Sequence, residues 1–144
     1  MDIIITGKLQ ALEGYLRQLR RFRSYRYDEI EGDLEKIWAI EHGLQVSIQI
    51  IIDIGNHILA SIGQNQIRDY TDVLSKLGQN NVLPSEFAAE IQGMAGFRNV
   101  LVHRYAEVDL KRVYDVLQNR LDDFMKYIGY IRSYLSSERG KRNG

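Results

Sequence analysis

The residues of this chain whose types and spacing best suit chemistry lie in GFRNVLVHRYAEVD, residues 96–109. Arg98, Asn99, His103 and Tyr105 fall within eight residues of an otherwise apolar segment. A histidine takes up or gives away a proton near neutral pH. An arginine holds a phosphate and stabilises the charge that develops on it. Together they suit phosphodiester cleavage, and in RNA the ribose 2′-OH supplies the nucleophile, so that no metal is needed. Arg98 and His103 are five residues apart, about 140° around a helix. Arg98 and Tyr105, seven apart, nearly superpose if the helix persists. Asn99 and His103 form an i,i+4 pair, which lets Asn99 orient the imidazole. One histidine per chain is thin for both acid and base, and a two-fold dimer would supply a second His103 and a second Arg98. Spacing alone leaves the alternative open that this is a capped helix end with a structural histidine.

Other candidates carry less. Asp53, Asn56 and His57 interrupt the most apolar run, residues 46–62. Asp53 and His57 share a helix face at i,i+4, as two metal ligands or as a hydrogen-bonded pair. The histidine motifs of zinc proteases and di-iron bundles are missing, as are glycine-rich phosphate loops. YLRQLRRFRSYRY, residues 15–27, interleaves five arginines with aromatics. Such a mixture can hold phosphates and stack bases, but it reads equally as a solvated helix face neutralised by the acidic segment that follows.

These residues must be positioned by helices. Proline occurs once in 144 residues, and no segment alternates as a strand would. Leu9, Leu12, Leu16 and Leu19 mark a first helix from near Thr6, or a turn earlier, to near Ser24. A long second helix carries apolar residues on more than one side, from Leu34 to Leu59, as expected for a central bundle helix or an oligomer interface. Asp33 or Asp28 would cap its start and Gly63 its end. A short helix follows with Tyr70, Val73, Leu74 and Leu77, ended by Gly78. Pro84 suits the first position of the next helix, which carries Phe87, Ile91, Met94 and Leu101 into the candidate motif. Asp109 would cap a last helix, whose apolar steps run from Leu110 to Leu135. The expected fold is all-α, an up-and-down bundle of four long helices and one short one. It forms a single domain over residues 1–136, followed by a polar, disordered tail at 137–144.

Composition narrows the classes further. Nineteen basic and nineteen acidic residues cancel, so the chain is no general nucleic-acid coat, although a local basic cleft remains compatible. The absence of cysteine excludes disulfides and thiolate metal sites. The start lacks a signal peptide's basic and apolar regions. The apolar run is short for a membrane span and is broken by polar residues. A soluble, cytoplasmic protein is expected.

As a pattern, RNVLVHRY is R-x4-H-x-Y. It resembles the signature of HEPN-domain ribonucleases, in particular the HepT-like toxins of HepT–MntA modules. IIIDIGNHILA, YTDVLSKLGQNNVLP, MAGFRNVLVHRY and EVDLKRVYDVLQNRLDDF resemble that family in the same order, over most of residues 8–130. The resemblance implies a HEPN bundle that works as a homodimer, with paired R-x4-H motifs lining a shared cleft. It implies a metal-independent endoribonuclease toxin acting on cellular RNA, tRNA among the expected targets. Arg98 would hold the phosphate, His103 would be the acid or base, and Asn99 would be the polar support. Tyr105 would receive AMP from an MntA-like nucleotidyltransferase antitoxin. ATP and magnesium would belong to that partner, and the chain itself would need no cofactor. Asp53, Asn56 and His57 would stand behind the cleft or form a polar network at the dimer seam. The competing expectation is a non-catalytic helical adaptor for a nucleotidyltransferase.

Overall fold

The computed structural model describes the backbone of residues 2–102 and 109–143 and the side chains of 3–102 and 109–138. All regular structure among them is helical. The helices are α1 (Asp2–Arg21), α2 (Tyr27–Glu31), α3 (Leu34–Ser61), α4 (Tyr70–Gln79), α5 (Ser85–Glu90), α6 (Gly93–Val102), α7 (Leu110–Asn119) and α8 (Leu121–Asn143). A 3-10 turn, Phe22–Ser24, continues α1.

The 28-residue α3 is the axis of the bundle. Ile40, Leu44, Ile48, Ile51, Ile52, Ile54, Ile58 and Leu59 are all buried along it, and α1, α4, α6 and α7 pack around it. By length and composition α3 could cross a membrane, but half of its apolar window is buried within the bundle. Asp33 caps its start, accepting from the amides of Glu35 and Lys36. Its end turns at Gly63, whose φ of 81° favours a residue without Cβ.

Two glycines let neighbours approach α3 closely. A Cβ on Gly43 would lie 2.8 Å from Leu19 Cδ2 of α1, and one on Gly55 would lie 2.6 Å from Val73 Cγ1 of α4. Gly78 does the same between α4 and α5, where a Cβ would meet that of Ala88 at 2.8 Å. Gly78 is therefore a packing residue inside α4 rather than its stop. The left-handed residue of the following turn is Asn81, with φ 60°.

Two helices expected to be continuous are divided. Ile91 and Gln92 form a turn between α5 and α6, where Gln92 Nε2 donates to Ser75 Oγ at 2.6 Å and ties the break to α4. Arg120 separates α7 from α8, with its amide closing on Val116 O at 2.9 Å. The second break lets α7 pack on α2 and α3 while α8 turns onto α1. The fold remains an all-α bundle, with the fourth and fifth helical rods each in two pieces. The polar segment expected to be a disordered tail continues α8 as helix to Asn143.

α8 is locked from both sides. Tyr127 is fully buried, and its hydroxyl donates to Ile51 O of α3 at 2.8 Å. Burial pushes its phenol well above the ordinary range. At the surface, Arg132 forks onto Glu13 of α1, with Nη2 to Oε1 at 2.6 Å and Nη1 to Oε2 at 3.3 Å. That hydrogen bond and the charge behind it lower the Glu13 carboxyl's pKa.

Candidate active site

α6 presents Arg98 and Asn99, one on each side of a boundary. Phe97 is buried in the core, Arg98 is half-buried, and Asn99 and Val100 are exposed. His103 and Tyr105 lie outside the described residues, so the structure brings together only the first half of the motif. Asp109, beyond them, caps α7 as expected, accepting from the amide of Lys111 at 3.0 Å.

The Arg98 guanidinium lies over the ring of Tyr70, with Cζ 4.9 Å from the centroid. Its Nε is buried and has no hydrogen-bond partner among the described residues. Among those residues no carboxylate stands within ion-pair distance of it either. A buried donor without an acceptor is costly. Here the cation is stabilised by the face of a π-system instead. Among the described residues its charge is left uncompensated, which would suit it to receive an anion.

Tyr70 stands on a braced platform. It is the first residue of α4, whose N-cap, Asp69, accepts from the amide of Asp72 at 2.8 Å. The buried Asp72 in turn accepts from the amide of Arg68 at 3.1 Å. The Arg68 guanidinium and the Lys76 ammonium each lie 3.6 Å from it, and Lys76 also donates to Gln66 O. The amide bond from Arg68 first, then the two cations, draw the Asp72 carboxyl below its usual pKa. Behind the platform, the close approach at Gly55 fixes α4 on α3. The sequence marked Tyr70 as part of a short helix's apolar face and gave no signal of its partner 28 residues away. Only a census of aromatics able to face the lone arginine could have raised it.

The polar residues of α3 behave differently from their sequence reading. Asp53 is half-buried and accepts from Gln49 Nε2 at 2.9 Å, one turn earlier, rather than from His57 one turn later. Asn56 is exposed and His57 half-buried. Among the described residues no three histidine or carboxylate side chains converge as metal ligands would. The basic run is engaged only in part. Arg23 donates to Leu117 O at 3.0 Å and Arg26 pairs with Asp28 and Glu29, whereas Arg17 and Arg20 are exposed on α1.

Comparison with known proteins agrees with this architecture. Residues 12–131 match the model of the family described as HepT-like, ribonuclease HepT-like. A tRNA nuclease HepT of Aphanizomenon flos-aquae is 30% identical over 133 residues, 92% of this chain and 90% of that protein. An mRNA nuclease HepT of Shewanella oneidensis is 33% identical over 135 residues, 92% and 99% of the two chains. The fold superposes with a TM-score of 0.83 on a tri-AMPylated Shewanella oneidensis HEPN toxin in complex with MNT antitoxin. That match is 26% identical and covers 92% of this chain and 99% of the other. The chain therefore belongs to the HepT-like ribonuclease family.

Proposed function

We propose that this protein is the ribonuclease toxin of a toxin–antitoxin pair, and that it cleaves cellular RNA without a metal ion, as a homodimer. The observation that carries the proposal is the half-buried Arg98, stacked on Tyr70 and uncompensated by any described carboxylate, at the head of an R-x4-H-x-Y motif. Relatives named as tRNA and mRNA nucleases support it.

Arg98 binds the scissile phosphate and stabilises its developing charge. His103 of one protomer takes the proton of the ribose 2′-OH as that oxygen attacks phosphorus. The bond to the 5′ oxygen breaks, and a protonated His103 of the second protomer returns a proton to the leaving oxygen. The products are a 2′,3′-cyclic phosphate and a 5′-hydroxyl. Asn99 orients the imidazole. In this reading Asp53, Asn56 and His57 stand behind the cleft or form a polar network at the dimer seam. An MntA-like nucleotidyltransferase, carrying its own ATP and magnesium, attaches AMP to Tyr105. The added phosphate then occupies Arg98 and the nucleotide fills the place of the RNA.

His103→Ala is expected to abolish both growth inhibition and cleavage of RNA in chelator, and unchanged cleavage would end the ribonuclease reading. The intact mass after incubation with the antitoxin and ATP should rise in AMP-sized steps, and the gain should vanish in Tyr105→Phe. A modified chain that never cleaves RNA would instead be the adaptor.

A further inference from the structure

Arg98 has five N–H donors on a flexible stem, and a flexible cation at a reaction centre is only as useful as its placement. Along its own helix it is next to an apolar core residue, Phe97, and an exposed amide, Asn99. Its described side-chain contact comes from α4, through the ring of Tyr70. We infer that Tyr70 is the positioning residue of the ribonuclease site, holding the Arg98 guanidinium by its ring face so that the donors point to the phosphate. This inference rests on the reading of Arg98 as the phosphate-binding group.

Three observations converge on it. The ring centroid lies 4.9 Å from Cζ, within the range of cation–π attraction. The Arg98 Nε is buried without an acceptor among the described residues, so among them the ring alone is seen to hold the plane. Tyr70 itself is fixed, by the Asp69 cap, by the Asp72 clamp on Arg68 and by the close approach at Gly55. A ring on a mobile loop could cover an arginine without orienting it; a ring on this braced first turn does both. The working part is the ring face and not the hydroxyl, so phenylalanine at this position preserves the function and an aliphatic residue does not. Tyr70 touches neither RNA nor leaving group in this account and acts only through Arg98.

The test uses the full-length chain and bulk tRNA in chelator, with two readouts. Tyr70→Phe should keep kcat within about two-fold. Tyr70→Leu should lower kcat about ten-fold with little change in KM, because a misplaced guanidinium loses transition-state stabilisation more than binding. Arg98→Ala is measured beside them. If it cleaves as well as the wild type, the Arg98 reading fails and the role of Tyr70 fails with it. If it is inactive while Tyr70→Leu matches the wild type, the positioning role alone is overturned. The second readout needs neither substrate nor a folded leucine variant. In the wild-type spectrum the Arg98 Nε–H resonance, assigned by its loss in Arg98→Lys, should be displaced upfield by the ring current and remain so in Tyr70→Phe. An undisplaced resonance in the wild-type chain overturns the proposal whatever the kinetics show.

Discussion

Two arginines, Arg98 of α6 and Arg112 of α7, stack on aromatic rings. Arg98 lies 4.9 Å from the centroid of Tyr70, and Arg112 of α7 lies 5.1 Å from that of Phe97, the residue before Arg98. The distances are nearly the same and the burial differs. Arg112 is exposed and lines a cavity of about 220 Å³ whose wall also carries Glu90, Asp115 and Asp123. Arg98 is half-buried, with an unsatisfied Nε and no described acid in reach. Stacking alone thus does not mark a functional arginine. What distinguishes Arg98 among the described residues is a buried Nε without an acceptor.

The sharpest way to break this comparison is to remove each cation in turn. Arg98→Ala should lower cleavage of RNA by at least about 10²-fold, the scale of losing one donor to a developing oxyanion. Arg112→Ala should stay within about two-fold, as surface substitutions generally do. Equal losses in a cleavage assay would show that burial of the guanidinium does not separate the two sites.

The supports of the two rings differ as well, which gives a second test. Phe97 is part of α6 and the core, whereas Tyr70 depends on α4 remaining seated on α3. In Gly55→Ala the new Cβ would lie 2.6 Å from Val73 Cγ1 and 3.0 Å from Leu77 Cδ1. Valine is stiff at χ1, so the helix must shift as a whole. Denaturant unfolding should show a loss of about 1–3 kcal/mol, the usual cost of overpacking. The Arg98 resonance should move with α4, while that of Arg112 stays in place.

Acid provides a third and smaller perturbation of the same platform. The Asp72 carboxylate is favoured in the folded chain, so its pKa lies below the unfolded value of about 3.9. The stability it contributes is fully present above that value and is lost as pH falls toward the folded pKa. Hydrogen exchange should therefore show the amides of Arg68 and the first turn of α4 losing protection below about pH 4. Asp72→Asn should remove that pH dependence. The contact of Arg112 with Phe97 involves no part of this clamp and should not follow it.

Features governed by local rules were legible in the sequence: the cap at Asp109, the turn at Gly63, the all-round apolarity of α3, and its cap as one of two aspartates, of which Asp33 is the one used. The breaks at residues 91–92 and at Arg120 were not. The apolar steps Leu117, Leu121 and Phe124 keep helical spacing across a one-residue turn, so periodicity cannot register the change of direction. Gly78 was misread because a glycine that stops a helix and one that admits a neighbouring helix look alike in a sequence. The chemical motif could be read because Arg98, Asn99, His103 and Tyr105 are close in sequence. Tyr70 could not, because its relation to Arg98 exists only once α4 and α6 are packed.

That distinction between glycine roles gives the smallest test. Gly96 lies on the exposed side of α6, two residues before Arg98, and a Cβ there would meet nothing within 4 Å. Where Gly55 serves contact, Gly96 costs the isolated chain helix propensity with no described return. Gly96→Ala should therefore raise the unfolding free energy of the monomer by about 0.4–1 kcal/mol, through the entropy of the unfolded chain. Stabilisation of the monomer together with weakened self-association would show that the open surface beside Arg98 is kept clear for the second protomer. Stabilisation of both would assign the glycine to neither role and leave the guanidinium and its ring as the constrained features of this face.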